Sequence, residues 1–209
     1  MFDTDRNKAL ALIHDAVKDG VLPEEIVFQV VVPSLERTIA SISQNKALSL
    51  AQHFMIAQIA MEVTDEMIAK FRKPPQVIGH IVIGTAQGDL HSLGKRIVTG
   101  CLKARMIDFT DLGVSVPPEL FVEEAVAREA SVIGISAMMI HTARGENGCL
   151  RVRQILKERK LEDNIKIVVG GAPFRFDPQL YERVQADAWA EDGITAAKVI
   201  ADLIKEARP

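Results

Sequence analysis

The chain is poor in cysteine, poor in clustered positive charge and without a long uncharged apolar run. Only Cys101 and Cys149 occur among 209 residues, too few for a disulfide framework, so a reducing cytoplasm is the expected setting. Both lie in stretches of helical periodicity and read as core or half-buried packing residues, not catalytic thiols. Net charge is −3 and the lysines and arginines nowhere cluster at length, which argues against a nucleic-acid partner. The short patch Lys70-Phe71-Arg72-Lys73-Pro74 reads as a solvated helix end. No uncharged apolar segment approaches the roughly 20 residues that span a bilayer, and Met1 to Asp15 lacks the basic-then-apolar order of a signal peptide. A soluble chain with no membrane partner is expected. Hydrophobic residues still make up 48% and charged residues 25%, a balance that can fill one large or two small domains.

The first third also lacks anything that reads as a strand. From Thr4 to about Arg72 apolar residues recur at helical spacing. Leu10, Ile13, Val17 and Val21 share one face of a first helix. Pro23-Glu24-Glu25 reads as a helix start, with proline in the first turn and acids at the positive end of the dipole. Ile26, Val30, Leu35 and Ile39 continue that helix, with a break or kink expected near Pro33. A third pattern, Leu48 to Phe71, puts Ile56, Ile59, Ala60, Val63, Met67 and Ile68 on one stripe. A helical bundle follows, because each amphipathic stripe needs cover from another.

Pro74-Pro75 cannot continue a helix, so residues 1–73 are expected to form the helical bundle and residues 74–209 a second domain. Beyond it the period changes. Val77 to Gly84 is a near-continuous apolar run, as in a parallel strand buried on both faces. Shorter runs follow at Met106 to Leu112, Ser131 to Ser136, Ile165 to Val169 and, weakly, Ala186 to Ala190. Helical stretches separate them: Gly94 to Arg105, Pro118 to Glu129, Ala143 to Lys160, Pro178 to Val184 and Ile194 to Glu206. The alternation predicts an α/β domain, a Rossmann-like or flavodoxin-like doubly wound sheet of five parallel strands. Ligands of such sheets bind beyond the carboxyl ends of the strands.

The first strand end lacks both common nucleotide loops. Five residues, not four, separate Gly88 from Gly94-Lys95, and Arg96 follows where a phosphate loop needs Ser or Thr. The G-x-G-x-x-G spacing is missing as well. What remains is Asp89 and His91, two apart in a glycine-rich loop. In an extended segment both side chains project to one side, so Asp89 can bond one imidazole nitrogen and leave the other for a metal. No companion His or Cys accompanies them, which disfavours a zinc site but suits a metal whose other ligands come from a macrocycle. A surface histidine capping a helix beside a solvated aspartate is the plain alternative.

Gly88-Asp89-Leu90-His91-Ser92-Leu93-Gly94-Lys95 resembles the D-x-H-x-x-G signature of the cobalamin-binding domains of methionine synthase, corrinoid methyltransferase subunits and some mutases. Ser136-Ala137-Met138 partly matches that family's S-x-L element, and Gly170-Gly171 its glycine pair. The resemblance covers residues 77–206. It implies cobalamin as cofactor, with His91 as lower axial ligand to cobalt in place of the cofactor's own base, and Asp89 as its partner. It implies that Gly94 leaves room for the nucleotide tail, that Ser136 bonds the displaced base, and that Gly170 and Gly171 allow close backbone approach. Gly88, Ser92 and Met138 would complete the cofactor contacts, and Thr142 a His91-Asp89-Thr142 relay. Met138 replaces the usual Leu or Thr, and Ser92 stands where many relatives have Asp or Asn. His141 is read as an exposed loop residue; His14, His53 and His80 as structural or surface residues; Trp189 as core; Met55, Met61 and Met67 as helix packing.

Methyl-carrying corrinoid proteins resemble this chain in having a helical cap before the sheet domain, whereas mutase modules carry the sheet domain alone. The resemblance therefore implies a carrier. Cob(I)alamin would take a methyl group on a substrate-specific methyltransferase, and methylcobalamin would pass it to tetrahydrofolate or a thiol on a second methyltransferase. A reductive activase is a further implied partner, and an O-demethylase system a possible setting. His91 would bind and release cobalt each turnover, with proton uptake by the relay accompanying release. The residues show no catalytic acid, base or nucleophile beyond the cofactor, as suits a carrier. A mutase small subunit and a non-catalytic cobalamin sensor are the alternatives; the latter would need a DNA-binding domain, for which 209 residues leave no room.

Overall fold

The structure, a computed structural model, describes residues 5–43 and 49–206. Helix α1 (Arg6–Lys18) is capped by Asp5, whose side chain accepts from the Lys8 amide. Leu10, Ile13, Val17 and Val21 pack against the core but stay half-buried. Helix α2 (Pro23–Glu25) begins with proline and two acids, then runs through a π-helical turn (Ile26–Val31) into α3 (Val32–Ser43). That turn replaces the break expected near Pro33. Proline has no N–H for the carbonyl four residues back, and the ladder widens just before it, with Val32 N–H donating to Val27 O. The widening shifts the phase. Val27 and Val31 join Ile26 and Leu35 inside, while Val30, expected on the apolar stripe, is exposed. Helix α4 (Leu50–Ile68) starts at Ser49, which exchanges a capping box with Gln52. Its stripe of Ile56, Ile59, Ala60, Val63 and Met67 is fully buried. The expected starting points Thr4 and Leu48 lie outside the described residues.

After an irregular stretch through Pro74-Pro75, the chain alternates strand and helix: β1 (Gly79–Thr85), α5 (Leu93–Ala104), β2 (Ile107–Asp111), α6 (Pro118–Ala127) and β3 (Val132–Ser136). Then come α7 (Ile140–Arg144), α8 (Cys149–Glu158), β4 (Lys166–Gly170), α9 (Ala172–Phe176), α10 (Leu180–Arg183), β5 (Ala188–Ala190) and α11 (Gly193–Glu206). All five strands are parallel in the order β2-β1-β3-β4-β5, a doubly wound sheet whose order reverses between β1 and β3. The register aligns Thr85, Ser136, Gly170 and Ala190 in one row across the carboxyl ends.

The sheet has a core on each face. One joins Ile81, Ile83, Val132 and Val168 to α5, α11 and the N-terminal helices. The other joins Val82, Ile133, Ile135, Ile167 and Val169 to α6 and α8. Helix α4 lies along α5 so closely that a Cβ on Gly100 would meet Ala57 O at 2.9 Å. The helix expected over 143–160 is instead α7 and α8, parted at Gly145 to Gly148, where a Cβ on either glycine would strike a carbonyl oxygen within 2.7 Å. The helix expected over 178–184 shrinks to α10, and α9 precedes it unforeseen. Trp189, expected in the core, is half-buried. Both cysteines are fully buried, and desolvation pushes each thiol's pKa up to about 12. Among the described residues no helix is long and apolar enough to cross a membrane.

Candidate functional site

The loop between β1 and α5 is held by hydrogen bonds to the loop after β2. Gly88 turns the chain at φ +83°, a conformation glycine adopts freely. Its amide donates to Ser115 Oγ (3.0 Å), while the Ser115 amide donates to Asp89 O (3.0 Å) and Thr85 Oγ1 (2.9 Å). The Thr85 hydroxyl in turn donates to Asp89 O. These contacts sink the Asp89 side chain, 1% exposed, and leave the His91 side chain 57% exposed.

The buried carboxylate is fully engaged. Oδ1 accepts from the His91 amide (2.9 Å) and lies 2.8 Å from His91 Nδ1. Oδ2 accepts from the Met138 amide (2.6 Å) and lies 3.1 Å from Thr142 Oγ1. Burial raises the pKa of this carboxyl, but the hydrogen bonds from His91, Met138 and Thr142 together outweigh it, and the net shift is below the ordinary carboxylate range. An ionised carboxylate only accepts, so His91 Nδ1 carries the proton, and Nε2 is the nitrogen that the neutral ring leaves free to bind a metal. The carboxylate reaches His91 by bonding the backbone amide two residues on, as Asp does in turns; the extended pleat expected from the spacing is not what aligns them. The Thr142 hydroxyl has one proton and two acceptors, Asp89 Oδ2 and Met139 O (2.8 Å), and serves one at a time.

Beside this loop a cavity of about 320 Å³ runs between the sheet and helices α5 and α11. Gly94, Ser136, Gly170 and Gly171 line it. A Cβ on Gly94 would meet nothing nearer than Ser136 Oγ at 3.9 Å, so the absent side chain leaves open space in the first turn of α5. Gly171 is fixed differently: φ is +116° and a Cβ would lie 2.0 Å from Ala137 O. Met138 shares the lining with its side chain partly exposed.

The structure thus brings Asp89, His91, Thr142, Gly88, Met138, Ser136, Gly94, Gly170 and Gly171 to one end of the sheet. Ser92 lies just before α5 and makes no side-chain capping bond, and His141 is exposed on α7. Sequence spacing gave no sign of Thr85 and Ser115, which support the loop from 30 residues apart, or of Lys95, buried in an ion pair with Asp111. It also passed over Phe176, 88% exposed at the cavity, and His53, which reaches the cavity from α4. His14 pairs with Glu66, tying α1 to α4, and His80 bonds Thr110.

Chemically the site offers one fixed nitrogen ligand and, beside it, a glycine-lined slot. Among the described residues no group of three or more His, Cys, Asp or Glu is arranged around a metal. The donor set therefore fits a metal that brings its own equatorial ligands, and the slot fits a long appendage of that same molecule.

Residues 79–199 match the family model described as the B12 binding domain. The dimethylamine corrinoid protein of Methanosarcina barkeri is 36% identical over 127 residues, 61% of this chain but only 57% of that protein's length. Trimethylamine corrinoid protein 1 of Methanosarcina acetivorans is 30% identical over 193 residues, 90% of this chain and 86% of that protein. The fold is shared with a chain of the methanol:cobalamin methyltransferase complex from Methanosarcina barkeri, at TM-score 0.72 and 20% identity, over 98% of this chain and 76% of that one.

Proposed function

This chain belongs to the B12-binding domain family, and we propose from that premise that it carries a methyl group on a bound corrinoid between two methyltransferase partners. The observation that supports this most directly is the bare Nε2 of His91, held from behind by a buried ionised carboxylate and presented outward at the strand-order reversal. When bound, the corrinoid's cobalt supplies the atom that accepts and releases the methyl group. The chain's own residues bind, orient and shield. His91 would hold the cobalt, with Asp89 fixing its tautomer and ring orientation and Thr142 completing the relay behind it. Gly94, Gly170 and Gly171 would leave the slot open for the nucleotide tail, Ser136 would bond the base at its end, and Gly88, Ser92 and Met138 would form the rim.

The helical segment favours a carrier over a mutase module. We assign residues 1–73 as a cap and residues 74–209 as the cofactor-binding unit. The relatives' names point to methylated amines as donors, ahead of the methoxylated compounds of an O-demethylase system. The donor methyltransferase, a second methyltransferase delivering to tetrahydrofolate or a thiol, and a reductive activase are the proposed partners, and the cytoplasm the proposed location.

The test is reconstitution with hydroxocobalamin followed by desalting. A coloured protein is expected whose Co(II) EPR nitrogen splitting changes when the protein's histidines are labelled with nitrogen-15, a change absent in His91→Ala; the cofactor's own base carries no label. A colourless wild-type protein, or splitting that the histidine label leaves unchanged, overturns the assignment.

A further inference from the structure

Outside the His91 loop the molecule holds a second imidazole wired in the same sense. His53 is in the first turns of α4, 9% exposed, and belongs to the lining of the same cavity as Gly94, Ser136 and Gly170. Its Nδ1 lies 3.0 Å from Ser49 O. A carbonyl oxygen only accepts, so Nδ1 carries the proton, and Nε2 of the neutral ring is a bare acceptor. That nitrogen is buried and has no hydrogen-bond partner. A buried acceptor left unpaired is costly, and native structures keep few of them. Here the ring that carries it is part of the cavity lining.

The neighbours say why nothing in the chain satisfies it. Phe54, next in sequence, carries the Arg96 guanidinium over its ring, 5.6 Å from the centroid. The Lys95 ammonium is taken by Asp111 and by Gly113 O (2.9 Å). The cations Lys95 and Arg96 of α5 are therefore engaged elsewhere, and the unpaired nitrogen belongs to a residue that lines the space proposed for the cofactor.

We propose that His53 is a cofactor contact supplied by the helical region: its Nε2 accepts a hydrogen bond from an N–H or O–H donor of the bound corrinoid. A corrinoid offers such donors in the amides of the macrocycle rim and in the ribose hydroxyls of the nucleotide tail. Its phosphate offers only acceptors and is repelled by a bare nitrogen. The contact ties α4 to the loaded site, so the helices before residue 69 sense whether the cofactor is in place. The inference rests on the corrinoid reading of the site and assigns it one more residue.

The experiment titrates the full-length apoprotein with hydroxocobalamin and, separately, with cobinamide, which keeps the rim carboxamides but lacks the nucleotide tail. Binding is read by absorbance, with the melting temperature of the apoprotein measured alongside. His53→Leu is expected to weaken binding by about 3- to 10-fold, the worth of one hydrogen bond. His53→Gln, which restores an acceptor, should recover most of the loss. Apoprotein melting should change little in His53→Leu: the variant loses the Nδ1 bond to Ser49 O, but that carbonyl keeps its bond from the backbone amide of residue 53, and leucine also removes a buried nitrogen that lacks a partner. Equal weakening for both corrinoids assigns the donor to the rim; weakening for cobalamin alone assigns it to the ribose. His53→Leu binding as tightly as wild type overturns the proposal, as does an apoprotein melting drop equal to that of the loaded form. A second nitrogen in the Co(II) EPR spectrum that vanishes in His53→Leu also overturns it, since His53 would then be a metal ligand. Failure of the wild type to bind either corrinoid sinks the corrinoid reading itself, a distinguishable result.

Discussion

On the sheet face covered by α6 and α8 the inward side is packed solid: Val82, Ile133, Ile135, Ile167 and Val169 meet Phe121 and Phe174, and even Gly84 is overlain by Phe121, which a Cβ there would meet at 2.9 Å. On the opposite face the inward positions near the carboxyl ends become Gly134, Ser136 and Gly170, opposite Gly94. A methyl group at Gly94 or Gly170 would touch nothing nearer than 3.9 or 3.5 Å. One face is filled to hold the sheet together; the other is left short of side chains just where the strand order reverses. The contrast separates stability from binding by position, and it can be tested from both sides.

The largest effect is expected on the filled face. Phe121→Ala should cost about 3–5 kcal/mol of stability in denaturant unfolding while leaving the corrinoid affinity of the folded protein unchanged. A matching loss of affinity would mean that the two faces are not independent. On the open face the adjacent glycines should part company. Gly171→Ala should cost about 1–3 kcal/mol from backbone strain alone, since its dihedral angles are essentially reserved for glycine. Gly170→Ala should leave the melting temperature near wild type and weaken cofactor binding, because its added methyl projects into the slot. Equal melting losses in the two variants would refute that division.

Asp89→Asn should weaken cofactor retention by about 10- to 100-fold, as changes behind a metal-bound histidine do. It should also alter the pH dependence of apoprotein stability. The Asp89 carboxyl titrates below its ordinary value in the folded chain, so its contribution is fully present above about pH 4 and is lost as pH falls through the lower folded-state value. Urea midpoints measured from pH 2 to pH 7 should therefore slope less steeply in the asparagine variant. The smallest effect concerns the thiols. Cys101 and Cys149, one on each side of the sheet, should resist a thiol reagent at pH 8 in the native protein and both react after unfolding. Rapid labelling of the native chain would show that a core opens locally.

Period and spacing carried the architecture a long way. Strand and helix alternate as the apolar runs predict, and the Asp89-His91 pair needed only its neighbours in sequence to be noticed. What stayed hidden depends on contacts between distant segments. Thr85 and Ser115 meet only because β1 and β2 pair in register, and nothing near either residue signals it. The split at Gly145 to Gly148 was invisible because glycine within a helical pattern reads as tolerated, while the carbonyls that forbid a Cβ there come from the folded turn. His53 looked like an ordinary helix residue, since only the packing of α4 along α5 carries it to the cavity.

The seam between α4 and α5 sets terms for any protein that would part them. Ile56, Ala57, Ala60, Val63, Cys101 and Leu102 are shut away from water along or around it, and the Gly100 backbone admits no wedge. A visiting enzyme that pries these helices apart uncovers a greasy strip and must lay its own apolar surface against it before the displacement becomes favourable. One that approaches along the rim past Phe176 incurs no such penalty. The demand is thus written into the visitor: parting the helices calls for a hydrophobic docking face, and leaving them together does not.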